Sequence, residues 1–348
     1  RICEYLSCVC HIPTNARFDK AVPGLIEDYE LPAWCEAVQK ELKLPDKKAI
    51  LSHGLDKFSK RCMEFSTNNA KQMNQDLIRL GIWMDFENAY LPVENEFMSS
   101  EWLFIKTAYE QKRLYRGQKV MQWCSTCETS LAKHELEYEN VSDKSIYVKF
   151  KVKNSKKNEY LVIFTTTPWT IPFNLAIMVN PDLDYVKVKI GNEIWIVAKE
   201  LAKHLLENVL EEDYSVIETF KGKKLLGLEY VHPFENEMGY GALKKKSKNI
   251  HSVILSKKYV TLDIGTGLVH CAPGCGPEDY EVGQEYKIEP FNTIDEKGIF
   301  ENSGSFNGLI AKKDDYKFVE ALEKSGAIVA TEKVSHDYAH CWRCHNPV

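Results

Sequence analysis

Two Cys-x-x-Cys pairs constrain this 348-residue chain more than any other feature. Cys124 and Cys127 lie in Trp-Cys-Ser-Thr-Cys, and Cys341 and Cys344 lie in His-Cys-Trp-Arg-Cys. A two-residue gap lets one tight turn offer two sulfurs to a metal at about 2.3 Å, and two such turns complete a closed tetrahedral zinc site. Residues 128–340 separate the pairs, far more than the roughly 15–20 of a simple zinc ribbon. If the pairs share one ion, a whole domain is inserted between them. Two unrelated reduced pairs and a redox-active dithiol are the other readings, and spatial convergence decides among the three. His134, His336, His340 and His345 are nearby as substitute ligands, but single histidines beside a full set of four thiolates are ordinarily surface or core residues.

The length allows two domains, or one carrying a large insertion. An apolar fraction of 44%, with 27% charged and 11% aromatic residues, describes a globular chain. No run approaches the ~18 apolar residues of a membrane span, so no membrane partner is expected. A net charge of -5 argues against a strongly basic nucleic-acid binder, and Lys244, Lys245, Lys246 and Lys248 read as a solvated loop. Eleven cysteines, two pairs of them at metal spacing, indicate a reducing, cytoplasmic setting rather than a secreted disulfide framework. No basic-then-apolar signal segment is present.

Residues 1–40 mix Cys3, Cys8, Cys10 and Cys35 with scattered prolines and remain unassigned. The spacing of Phe58, Cys62, Phe65, Met73, Leu77 and Leu80 predicts a helix, with Asp56 capping its start and Gly81 its end. A second helix is expected from Asn95 to Lys112, burying Phe97, Trp102, Phe104 and Ala108 and stopping near Gly117, followed by a short strand from Lys119 to Trp123. Beyond Tyr138 the texture turns to strands: Ile146–Val152, Tyr160–Phe164, and a hairpin of Tyr185–Ile190 and Glu193–Val197 turning at Gly191-Asn192. A helix over Lys199–Val209, strands around Val253–Leu255 and Leu268–His270, and a helix over Lys313–Ser325 complete a β-rich insertion.

Phe164-Thr165-Thr166-Thr167-Pro168-Trp169-Thr170 ends a strand with three successive hydroxyls, a proline that stops the ladder and a tryptophan able to stack on a base. Threonines are also ordinary β-formers. Gly265 to Tyr280 reads as a tight turn, a strand through His270, and a glycine-rich loop entering a helix at Pro277, Glu278 and Asp279. Taken alone, Asp279 is a surface acid favoured by the helix dipole and His270 a satisfied core histidine.

Together these stretches resemble the class I aminoacyl-tRNA synthetases and, within them, the isoleucyl family. The resemblance rests on Trp83 to Asn88, Tyr115-Arg116-Gly117, the Trp-Cys-x-x-Cys knuckle, Thr165 to Asn174, Asn180-Pro181 and Gly265 to Tyr280, and covers about residues 40–348. Valyl and leucyl relatives carry an arginine after the paired threonines, whereas this chain has Thr167-Pro168-Trp169.

The resemblance implies an α/β architecture: part of a Rossmann-like catalytic domain carrying an inserted β-barrel-like editing domain and a four-cysteine zinc knuckle. The implied division is 41–143 for the first catalytic part and knuckle, 144–333 for the insertion, and 334–348 for the return. It implies hydrolysis of mischarged valyl-tRNA(Ile). Thr166, Thr167, Asp279 and His270 would form the catalytic set, and Thr165, Trp169 and Asn174 the substrate contacts. Asp279 would hold the α-ammonium of the misattached amino acid. Cys124, Cys127, Cys341 and Cys344 would hold structural zinc. ATP and Mg2+ belong to the full-length enzyme that ligates isoleucine to tRNA(Ile), a monomer whose partners are tRNA(Ile) and the valyl or isoleucyl ester. Aminoacylation by this chain alone is not expected, because the His-x-Gly-His signature is represented only by His11-Ile12-Pro13-Thr14 and the activation pocket only by Tyr29-Glu30-Leu31-Pro32. Cys275 replaces an expected histidine, and Phe173 an expected small residue. The rival readings are a non-catalytic zinc-ribbon tRNA-binding module with an inactive site, and a zinc hydrolase, which four thiolates disfavour because they leave no open position for water.

Overall fold

The computed structural model describes residues 33–45, 47–88 and 91–348; the segments His11 to Thr14 and Tyr29 to Pro32 lie outside them. The chain divides into two compact units, 1–118 and 119–348.

Among the described residues of the first unit the regular elements are helical, so the Rossmann-like layer is not seen there. Helices α1 (Ala33–Glu41), α2 (Lys47–His53) and α3 (Leu55–Arg79) enclose a small core of Cys35, Val38, Ile50, Phe58 and Cys62. Arg61 grips Glu41 in a bidentate pair with contacts of 2.8–2.9 Å. The N-cap of α3 is Gly54 and Asp56 makes no capping bond, which corrects the expectation: the chain leaves α2 without room for an Asx-capped turn. Gly81 does terminate α3. Its φ of 78° lets Ile82 N–H reach Leu77 O at 3.1 Å and Gly81 N–H reach Ile78 O at 2.9 Å, the left-handed closure that favours glycine. Helix α4 (Asn95–Glu110) buries Met98 and Ile105, one heptad apart, while Phe104 is 67% exposed. The buried stripe is therefore rotated from the expected Phe97/Phe104 face.

The second unit begins with a hairpin of β1 (Gln122–Cys124, shorter and later than expected) and β2 (Thr129–Leu131). The mixed sheet that follows comprises β3 (Leu136–Val152), β4 (Glu159–Thr165), β5 (Ala176–Val179), β6 (Asp184–Ile190), β7 (Glu193–Ala198), β8 (Ser215–Lys221), β9 (Tyr230–Val231), β10 (Ser252–Leu255), β11 (Leu268–Cys271) and β12 (Ile328–Cys341). Helices α5 (Lys199–Lys203, continuing as a π-turn to Val209), α6 (Tyr240–Lys246), α7 (Pro277–Glu285) and α8 (Asp315–Lys324) cover it. The β6–β7 hairpin closes at Ile190↔Glu193 as expected. None of the described helices is long and apolar enough to cross a membrane.

Strand β4 organises the sheet. One edge runs antiparallel to β3; the other is shared between β7, parallel to its first half, and β11, parallel near its end through Phe164↔Val269. The sheet forks there. Side chains alternate between faces at period two, so Leu161 and Ile163 enter one core with Ile146, Val148 and Phe150. Val162 and Tyr147 enter a second core with Val186, Trp195 and Leu205. With both faces covered, β4 ends at Thr165 in a fixed place. Beyond the sheet, β3 and β12 continue as a two-stranded ribbon from Val148↔Ile328 to Leu136↔Cys341, carrying the chain back beside the first cysteine pair.

Candidate functional site

The ribbon brings the two cysteine pairs together. Ligand atoms of Cys124, Cys127, Cys341 and Cys344 all lie within 4.8 Å of one another, and among the described residues no histidine joins the group. The β1–β2 turn presents the first pair, with Cys127 N–H donating to Cys124 Sγ at 3.3 Å. The end of β12 presents the second, and Cys124 Sγ and Cys344 Sγ stand 3.5 Å apart. A tetrahedron with ~2.3 Å arms has an edge of about 3.8 Å, so the spacing fits zinc. The chemistry fits too: burial pushes the Cys124 thiol up to about 11, and burial with the neighbouring sulfurs pushes Cys127 higher. Two such thiols ionise beside a further pair of sulfurs only where a cation compensates the charge. His345 and His340 turn elsewhere, to Glu137 at 2.7 Å and the Tyr338 carbonyl at 3.0 Å.

The second site lies where β4 and β11 end. Because the strands are parallel neighbours, the threonine segment and the glycine-rich loop leave the sheet on the same side. Pro168 stops the ladder and begins a 3₁₀ turn to Phe173. Thr165 Oγ1 accepts Thr167 N–H at 3.1 Å, and the hydroxyls of Thr165 and Thr167 are 3.2 Å apart. Thr170 Oγ1 donates to Thr167 O at 2.8 Å and lies 3.3 Å from Thr167 Oγ1.

His270 on β11 reaches across: its Nε2 is 3.0 Å from Thr170 Oγ1 and its Nδ1 2.8 Å from Asn174 Nδ2. Burial lowers its pKa to about 4, so it is neutral at physiological pH. Thr165, Thr167, Asn174 and His270 are thus joined in one network; Thr166 lies within the same turn. Trp169 is half-buried, packs against the main core, and keeps a buried indole N–H with no partner among the described residues. Phe173 is fully buried and stacks on Phe300 at 5.2 Å; it fills core rather than a rim.

Asp279 stands in the first turn of α7. Its Oδ2 accepts Ala272 N–H at 3.1 Å, and among the described residues no cationic side chain pairs with it. Burial raises its pKa to about 7; the Ala272 bond opposes this and the Glu278 charge adds to it. Gly276 makes this approach feasible: a Cβ there would sit 2.9 Å from Asp279 Oδ2. Cys275 is beside this loop with its thiol pushed up by burial, which leaves it un-ionised.

Sequence reasoning did not single out Thr170, which bridges His270 and Thr167, or Tyr230, whose hydroxyl donates to Asn174 Oδ1 at 2.6 Å. Thr170 lies inside a quoted motif; Tyr230 lies in a two-residue strand with no pattern of its own.

The model for tRNA synthetases class I (I, L, M and V) matches residues 32–226. The Pyrococcus abyssi isoleucine–tRNA ligase is 44% identical over 319 residues, covering 89% of this chain and 30% of that protein. That of Sulfolobus acidocaldarius is 40% identical over 332 residues, covering 94% and 31%. The chain therefore spans just under a third of the length of these relatives. Among solved structures, GlLeuRS-CP1 is similar over 55% of this chain and 100% of its own, at 15% identity and a TM-score of 0.44, too loose a likeness to argue from.

Proposed function

We propose, from the premise that this chain belongs to the class I tRNA synthetases of the I, L, M and V group, that residues 144–333 are an inserted editing domain hydrolysing mischarged valyl-tRNA(Ile). The flanking parts, 41–143 and 334–348, belong in this reading to the catalytic domain of an enzyme that ligates isoleucine to tRNA(Ile) with ATP and Mg2+. The names of the relatives support the isoleucine assignment. The observation that carries the editing assignment is the placing of a fixed hydroxyl network and of a partly buried carboxylate that has no cationic partner among the described residues, beyond the ends of two adjacent parallel strands.

Asp279 is the docking point for the α-ammonium. Burial without a counter-ion raises its pKa, and an incoming ammonium supplies the missing charge and a charge-assisted hydrogen bond. Thr166 and Thr167 orient the ester and terminal adenosine, and Trp169 walls the pocket. Water adds to the ester carbonyl, the carbonyl–ribose oxygen bond breaks, and the ribose oxygen takes the proton, releasing valine and free tRNA. His270, neutral and bonded at both nitrogens, orients the threonines rather than taking the proton. The four cysteines hold structural zinc, which ties the ribbon's end. One missing methylene is worth only ~1–3 kcal/mol in a binding pocket, a limit for which isoleucine against valine in this enzyme family is the known illustration; a second, smaller pocket supplies the remainder. The test is to compare initial deacylation rates of valyl-tRNA(Ile) and isoleucyl-tRNA(Ile): valine is expected to be released faster, and equal or absent release by the folded, zinc-loaded chain would contradict the proposal.

A further inference from the structure

Behind the threonine network lies a row of hydrogen bonds whose directions are all determined by the groups that make it. Ala176 O, which only accepts, lies 2.9 Å from Asn174 Nδ2, so the amide nitrogen faces that carbonyl. Tyr230 OH reaches the other end of the amide, Oδ1, at 2.6 Å. Burial holds the Tyr230 hydroxyl well above its ordinary pKa, which keeps it a neutral donor. Both ends of the Asn174 amide are then fixed, and its nitrogen must donate to His270 Nδ1. A ring nitrogen that accepts is unprotonated, so the proton of neutral His270 is on Nε2. From there it is donated to Thr170 Oγ1, whose own proton goes to Thr167 O.

We propose that Tyr230 is a positioning residue: through Asn174 it fixes His270 as the Nε2–H tautomer, and through Thr170 it fixes the backbone and hydroxyl of Thr167. The inference rests on the editing assignment for its functional consequence, but the tautomer follows from the hydrogen bonds alone. Tyr230 is suited to such a part. Its ring packs edge-on to Phe150 at 5.3 Å and against His251 at 5.6 Å, so phenylalanine keeps the packing and removes only the donor. A residue that merely filled core would leave the imidazole proton where it is.

The experiment combines ¹⁵N-histidine NMR of the whole chain with deacylation kinetics of valyl-tRNA(Ile). The wild-type chain is expected to show His270 protonated on Nε2 alone. Asn174→Asp, which can only accept toward the ring, moves the proton to Nδ1. Tyr230→Phe broadens the Nε2–H resonance and lowers kcat about tenfold, the loss typical of one hydrogen bond, with KM changed less than about twofold. A proton on Nδ1 in the wild type, or a Tyr230→Phe chain with unchanged resonance and kcat, overturns the proposal. A folded wild-type chain that shows the Nε2–H tautomer yet deacylates nothing contradicts the editing assignment and leaves the hydrogen-bond directions established.

Discussion

The two sites of this chain are held together by opposite means. The cysteine knuckle gathers four sulfurs within 4.8 Å, burial opposes the ionisation of Cys124 and Cys127, and only Cys124 and Cys341 of the four are fully buried, beside little more than Leu131. The threonine site stands over a large core, with both nitrogens of His270 bonded and the hydroxyls chained to one another. In the reading proposed above, the first site would need its metal to be stable, whereas the second is already held by its own hydrogen bonds. The difference teaches where strain and disorder are to be expected when a ligand is withdrawn.

Metal removal tests the contrast most severely. A chelator strong enough to strip zinc, whose binding to such sites is worth ~10–16 kcal/mol, should open residues 122–136 and 339–348 to hydrogen exchange while β4, β5 and β11 stay protected. Equal loss in both regions breaks the comparison. Thr167→Val should leave zinc content and thermal midpoint nearly unchanged and slow valyl-tRNA(Ile) deacylation about tenfold, the ~1–1.5 kcal/mol of one hydroxyl's bonds.

The pH profile follows from Asp279. A carboxyl whose pKa is raised to about 7 by burial is protonated, and unable to hold an ammonium, below that pH. The kcat/KM for deacylation, corrected for spontaneous hydrolysis, should therefore rise through about pH 7 in the wild type and lose that limb in Asp279→Asn. The sign for stability is the reverse. A raised acid favours the folded state at low pH, and its ionisation costs stability as pH climbs from the unfolded value near 3.8 through about 7. The smallest effect belongs to Trp123, whose indole donates to Glu296 O at 2.8 Å in an exposed position. Trp123→Phe should cost ~0.5–1 kcal/mol in exchange protection of the knuckle and leave deacylation unchanged.

How far the sequence disclosed these two sites also differs. The cysteine spacing offered a shared ion as one of three readings, and only the β3–β12 ribbon, which brings the four sulfurs within 4.8 Å of one another, decides for a common site. Strands β4, β6, β7, β10 and β11 and the Gly191-Asn192 hairpin were expected from the sequence, and Gly81 from its left-handed closure, whereas β2, β5, β8, β9 and β12 were not; β5 is buried at all four positions and so shows no alternation. Asp56 misled because an acid near a helix start usually caps it, while here Gly54 holds that position. Phe104 misled because one apolar stripe on α4 resembles another, and the stripe through Met98 and Ile105 won. The threonine site needed the pairing of β4 with β11, which no local pattern encodes. Tyr230 came to light only through its bond to Asn174 across residues far apart in sequence.

The most direct test of the central claim is the deacylation of valyl-tRNA(Ile) by the wild-type chain and by Asp279→Ala at equal zinc content. Removing one partner of a buried charge pair typically costs 2–5 kcal/mol, so the account predicts release of valine by the wild type and a loss of at least about thirtyfold in the variant. Valine release that is unchanged in Asp279→Ala would show that the carboxylate does not hold the substrate, and absent release by the wild type would contradict the editing assignment itself.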